Sequence, residues 1–245
     1  MTTLLQVGSI AEGDELADQS GMIMITLLVG VLIFGFVMDG YAVFLRVAGV
    51  DGLAEILAMA NLVQYIARIS NVVVIFALSF AFETRRLTVE VALVFLIASL
   101  LGMLMVFILI RSRRFCDVLT LCLRPVLYYS FRNISRKYVW RDVGVLKTKT
   151  LKLVAISTLT NTLIVLAMFV PFGIASYYPE MRMTSVYLGQ LINFFATLLV
   201  FAIQDPVSMR LVDGGVLEEV GSALLYGRVI SYFIASIMFA LVWFI

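Results

Sequence analysis

The sequence contains no histidine. Its absence removes the commonest metal ligand and the commonest general base near neutral pH, so lipid phosphatases and many intramembrane proteases lose the group their chemistry turns on. Cysteine is nearly absent too. Cys116 and Cys122 stand six apart, match neither a C-x-x-C redox pair nor a zinc set, and read as structural thiols. No G-x-x-x-x-G-K-S/T phosphate loop occurs, and the nearest fragment, GVLKTKT from Gly144, lacks its spacing. The expectation is a protein without metal, cofactor or ATP hydrolysis of its own, and not an enzyme. Charged residues make up only 14% of the chain with a net charge of +2, and the basic ones concentrate in one loop, so nucleic-acid binding is not expected.

What fills the chain instead is apolar side chains: 62% of 245 residues are hydrophobic, and the mean hydropathy is +1.07. A soluble domain is not this apolar. Several runs exceed the roughly 20 residues that carry a helix across about 30 Å of hydrocarbon. Six spans are predicted: Gly21 to about Leu45, about Leu53 to Phe82, about Thr88 to Ile110, Leu151 to Ala175, about Met183 to Ile203, and about Ser222 to Ile245. Continuous apolar runs of this length do not fit the alternating strands of a barrel. The fold class expected is an all-α polytopic membrane protein, with residues 21–245 as one transmembrane domain. Residues 1–20 carry Glu12, Asp14, Glu15 and Asp18 but no lysine or arginine. A signal peptide needs a basic n-region, so the first span is expected to be a permanent anchor.

Basic residues set the orientation. Arg111, Arg113, Arg114, Arg124, Arg132, Arg136, Lys137, Arg141, Lys147 and Lys149 fall between spans three and four, against only Asp117 and Asp142. The positive-inside rule makes residues 111–150 a cytoplasmic loop and, with six spans, puts both termini on the extracytoplasmic side. Arg85 and Arg86 go against this and are partly offset by Glu83 and Glu90. Within the loop, FCDVLTLCLRPVLYYSFRNISRKYVW interleaves aromatic and aliphatic residues with positive charge, the pattern of an amphipathic segment lying on anionic headgroups.

A charge near the middle of a bilayer costs about 2.5 to 3.5 kcal/mol on insertion scales and persists where partners or water offset that cost. Arg68 sits inside the second span, and Asn61, Gln64, Arg68 and Asn71 recur at steps of 3, 4 and 3, which stacks them along one helical face. That stripe is expected to face the interior. Gln190, Asn193, Thr197 and Gln204 form a second stripe on span five, and Ser157, Thr158, Asn161 and Thr162 cluster in span four. Serine and threonine commonly bond their own helix backbone, which leaves Asn161 and Asn193 as the stronger site candidates. Asp39 in span one has two candidate partners, Arg68 and Arg228; unpaired, it would be protonated. The runs Asp39 to Arg46 and Asp205 to Arg210 each precede a helix bearing an arginine, Arg68 and Arg228, an echo more readily due to chance than to a parallel repeat.

Taken together, these residues resemble the alternate lipid II flippase family, known as Amj. The resemblance rests on MDGYAVFLRVAGV, with Asp39 seven before Arg46; on ANLVQYIARISN, with Arg68, Ser70 and Asn71; and on VPFGIASYYPEMRMTSVYLGQLINFFATLLVFAIQDPVS, with Pro179, Glu180, Arg182, Asn193, Asp205 and Pro206. It runs from about residue 25 to the end and does not reach the acidic first 20 residues or the details of the basic loop. It implies a protein of the bacterial plasma membrane that moves lipid II, an undecaprenyl-pyrophosphate-linked peptidoglycan precursor, from the inner to the outer leaflet. On that reading Arg68, assisted by Arg46 and Arg228, receives the pyrophosphate, because a guanidinium keeps its charge and pairs with two oxygens at once. Asn61, Gln64, Asn71, Asn161 and Asn193 meet phosphate or sugar oxygens, and Asp39 and Asp205 supply ion pairs or coupling. Membrane lipids are the other expected partners. Six helices are few for so large a headgroup, which makes a homodimer with a shared groove an expectation beside the monomer. Two other classes stay open: an envelope scaffold whose buried charges lock helices together, and a secondary transporter of another anionic lipid or a small anion.

Overall fold

The computed structural model describes residue 23 and residues 26–46, 53–83, 90–130, 148–215 and 217–244. The acidic segment 1–20 and the basic residues of 131–147 lie outside the described residues. The described chain is helical throughout, with α1 (Thr26–Arg46), α2 (Leu53–Glu83), α3 (Glu90–Arg111), α4 (Arg113–Ser130), α5 (Leu151–Tyr177), α6 (Arg182–Leu199), α7 (Asp205–Asp213) and α8 (Leu217–Phe244). Six segments are long and apolar enough to cross a membrane, and α4 is not among them. The protein is an all-α polytopic membrane protein.

Each span exposes apolar residues where lipid would lie and buries a stripe at helical spacing. On α3, Phe95, Ala98, Ser99, Gly102, Val106 and Leu109 are buried, while Leu100, Leu101, Leu104 and Phe107 face outward. This is how a helix that is apolar all round meets protein on one side and hydrocarbon on the other. Small residues set how closely backbones approach. A side chain at Gly102 would run into Phe36 of α1, and one at Gly227 of α8 would sit 2.5 Å from Cβ of Ser157 on α5. At the end of the bundle remote from α4, Phe95, Phe169 and Phe239 join α3, α5 and α8, with ring centroids 4.6 to 5.6 Å apart. α8 is thus central: it packs on α3 and α5, and Phe36 of α1 lies 4.5 Å from Tyr232. α2 packs on α1 and α6 on α5.

The fifth span departs from its expected end at Ile203. It continues as Met183–Asp213, with a π-helical segment Val200–Gln204 joining α6 to α7. Pro206 falls in the first turn of α7, where its missing N–H does the least harm. The wider turn also shifts the register by about one residue, roughly 100°, so Gln204 leaves the face of Thr197 and turns to α5, where it accepts a hydrogen bond from Thr160 at 2.7 Å.

α4 begins one residue after α3 ends. Ser112 caps it, its Oγ accepting from the backbone N–H of Phe115 at 3.3 Å. One side buries Cys116 and Leu123, and Thr120 meets the Tyr41 hydroxyl of α1 at 2.5 Å. The other side exposes Arg114, Asp117, Val118 and Leu121. Both cysteines are free thiols. Burial, with the Asp117 charge adding to it, pushes the Cys116 thiol up to about 12, while Cys122 is exposed.

Candidate functional site

Four helices bring charge together in the half of the bundle nearer α4. Asp39 of α1 accepts a hydrogen bond from Nε of Arg228 of α8, an ion pair of 2.6 Å, with the arginine side chain 7% exposed and the aspartate 24%. Of the two partners open to Asp39, the fold therefore selects Arg228. Nη1 of Arg228 is buried and has no hydrogen-bond partner.

Arg46, at the end of α1, is held differently. Its Nη2 donates to Oδ1 of Asn61 at 2.9 Å and to Oε1 of Gln64 at 2.6 Å, both on α2. Two neutral amides fix the guanidinium without cancelling its charge. The charges of Arg228, Asp39, Asp205 and Arg68 all act on it through space. Asp205, from α7, is half-buried and is the second acid of the group. With all five ionised, three positive charges stand against two negative ones.

Two sequence expectations need correcting here. Arg68 does not point into the bundle: it is exposed, its guanidinium 6.0 Å from the ring centroid of Tyr65. The reason is the face α2 uses for packing. Met59, Ala60, Val63, Ala67, Ser70 and Val74 are buried, and Ala67 and Ser70 come within 3.6 Å of where a side chain on Gly35 of α1 would begin. This face of mostly small residues lets the backbones approach, and the polar stripe is left about 100° round the helix, on its flank. Gln64 and Asn71 are half-buried there, Asn61 and Arg68 exposed, and Oδ1 of Asn71 is buried without a partner.

Asn161 is the second correction. Its Nδ2 donates to the backbone oxygen of Ser157 at 2.6 Å and to Oγ of the same residue at 3.1 Å, while Ser157 donates to the Leu224 carbonyl of α8 at 3.2 Å. This amide is spent on the α5–α8 junction, as local side-chain bonds to the backbone commonly are. Asn193, with Gln190, is exposed on α6. Sequence reasoning had no handle on Tyr65, Tyr232 or Thr160: each takes its role from a neighbour on the same or another helix rather than from its own type.

No family model, curated protein or solved structure matches the chain. Among the described residues no group of histidine, cysteine, aspartate and glutamate is arranged to hold a metal ion. What the arrangement offers chemically is a set of cations on three apolar spans, of which, among the described residues, Arg228 alone is directly paired with a carboxylate. An anion with several oxygens is the ligand such a set suits.

Proposed function

We propose that this protein translocates an anionic polyprenyl lipid, lipid II, across the bacterial plasma membrane, with the α4 end cytoplasmic and both termini extracytoplasmic. The observation that carries the reading is Arg46, held by the amides of Asn61 and Gln64 and therefore positioned but not neutralised. Arg68, exposed on the adjacent flank of α2, gives the pyrophosphate a second cation without a direct carboxylate partner among the described residues. The polyprenyl chain stays in lipid while the charged group follows the arginines. The basic residues of 111–150 and the amphipathic α4 favour the inner leaflet as the side of entry. Without a nucleotide-binding motif, the driving force comes from the lipid gradient, the membrane potential or a coupled ion.

Growth rescue of a bacterium depleted of its other lipid II flippases tests this. The unaltered chain is expected to restore growth, and Arg46→Gln and Arg68→Ala to fail at equal membrane abundance. Arg68→Lys is also expected to fall short, since an ammonium lacks the two-pronged donor geometry. No rescue by the unaltered chain would overturn the assignment.

The Asp39–Arg228 pair favours a second reading, an envelope scaffold in which buried charges only lock helices. Under it, Arg46→Gln and Arg68→Ala would leave function intact, and only loss of the Asp39–Arg228 pair would matter.

A further inference from the structure

The most apolar stretch of span Met183–Asp213 has 11% of its residues buried, against 61% in that of Thr26–Arg46. Its exposed side is not purely apolar. Gln190 and Asn193 are exposed and Thr197 half-buried. Thr197 donates to the Asn193 backbone oxygen at 2.8 Å, but the two side-chain amides have no partner among the described residues. Asn193 lies 11 residues from Arg182, about 16 Å along the helix axis. Idle amides at that depth are costly in hydrocarbon.

Helical geometry says which way they turn. Gly189 sits against the Ala167 carbonyl and Pro171 of α5, and relative to it Asn193, Thr197 and Gln190 lie on an arc about 40 to 100° round α6. On α5 itself, the face toward α6 (Thr160, Ala167, Pro171) and Ser157, which touches α8, are about 60° apart. Arg228 follows Gly227, the residue against Ser157, by one position and about 100°. α5 and α8 run one way and α6 the other, so rotations on α6 reverse sense when seen from the same end. Taking that into account, the α6 stripe and Arg228 both turn to the same side of α5. On that side of α8 lies α1, which carries Asp39 on Arg228 and Arg46 beyond it, bonded to α2.

We infer that α6 forms the second wall of a water-filled lateral cleft opposite α1 and α2, and that Gln190, Asn193 and Thr197 take the uncharged, hydroxyl- and amide-rich part of the headgroup whose phosphates the arginines hold. The ligand assignment rests on the proposed function; the cleft does not. Charge and neutral polarity then occupy successive levels. Arg228 lies 11 residues from Leu217, about 16 Å from the start of α8, whereas Asn193 is 20 residues, about 30 Å, from Asp213. A headgroup leaving the arginines meets donors and acceptors that bind sugars and amides without holding phosphate.

Single cysteines at 190, 193 and 197, placed in full-length protein with Cys116→Ala and Cys122→Ser and reconstituted in vesicles, test it with a membrane-impermeant thiol reagent. Labelling at these three positions is expected to exceed that at the exposed neighbours Leu191, Phe194 and Leu198 by about tenfold or more, since the thiolate that reacts requires water. Purified lipid II should suppress it, and lipid carrying pyrophosphate without sugar or peptide should suppress it far less. Uniformly low labelling would overturn the cleft. So would disulfide cross-linking between two copies at position 193, which would make the stripe a homodimer contact instead. Labelling that lipid II leaves unchanged would overturn the ligand assignment while leaving the cleft, and failure of growth rescue with periodic labelling intact would remove the flippase reading and the ligand assignment that rests on it, again leaving the cleft.

Discussion

Arg46 and Arg228 are both arginines in the half of the bundle nearer α4, yet their surroundings assign them different work. Arg228 is almost fully buried and its charge is answered at 2.6 Å by Asp39. Removing either member alone strands the other, so Asp39→Leu or Arg228→Met is expected to cost about 3 to 5 kcal/mol. The double substitution is expected to cost much less, because two apolar side chains of similar volume leave no orphan charge. Unfolding midpoints of the purified proteins in detergent check this; equal losses in the single and double variants would contradict it. The sequence brought Asp39 and Arg228 forward as a candidate pair, since intramembrane charges demand partners. It could not separate Arg228 from Arg68, because the choice is made by how α1 lies against α2 and α8. Asn161 misled for a related reason: a buried asparagine looks the same in sequence whether it waits for a ligand or bonds Ser157 four residues back.

At the scale of helices, the polar stripes were legible and their direction was not. Steps of 3 and 4 put Asn61, Gln64, Arg68 and Asn71 on one face, as expected. Whether that face points inward depends on competition with the small residues Ala60, Ala67 and Ser70, which allow closer contact and win. α6 shows the same rule. Its approach to α5 rests on Gly189, where a side chain would meet the Ala167 carbonyl at 2.7 Å. That oxygen would accept the N–H of residue 171, which proline lacks, so the proline of α5 and the glycine of α6 occupy one spot. A methyl group there has only backbone and a rigid ring to displace. Gly189→Ala is expected to destabilise the protein by about 1 to 3 kcal/mol, read as a lowered unfolding midpoint. Gly30→Ala, at a glycine with nothing within 4 Å, is expected to change the midpoint little. The helix runs past Ile203 because a π turn carries it through Gln204 and Pro206 falls in the first turn of α7.

Across the whole molecule, composition alone was enough for the class. Hydropathy and run length specified six helical spans because a bilayer leaves a chain few ways to satisfy its backbone. The arrangement of those spans is tertiary: α8 lies centrally against α1, α3 and α5, and α2 and α6 stand at the flanks with polar stripes left partly open. That architecture gathers Arg46, Arg68, Arg228, Asp39 and Asp205 into one cluster with a surplus of positive charge. In the proposed function this surplus moves a lipid-borne pyrophosphate. Translocation of fluorescent lipid II in reconstituted vesicles, followed by quenching from outside, measures it most directly. Translocation is expected with the unaltered protein and its loss in the Arg46→Gln, Arg68→Ala double variant at unchanged folded yield; translocation at the unaltered rate in that variant would overturn the proposed role of the arginines.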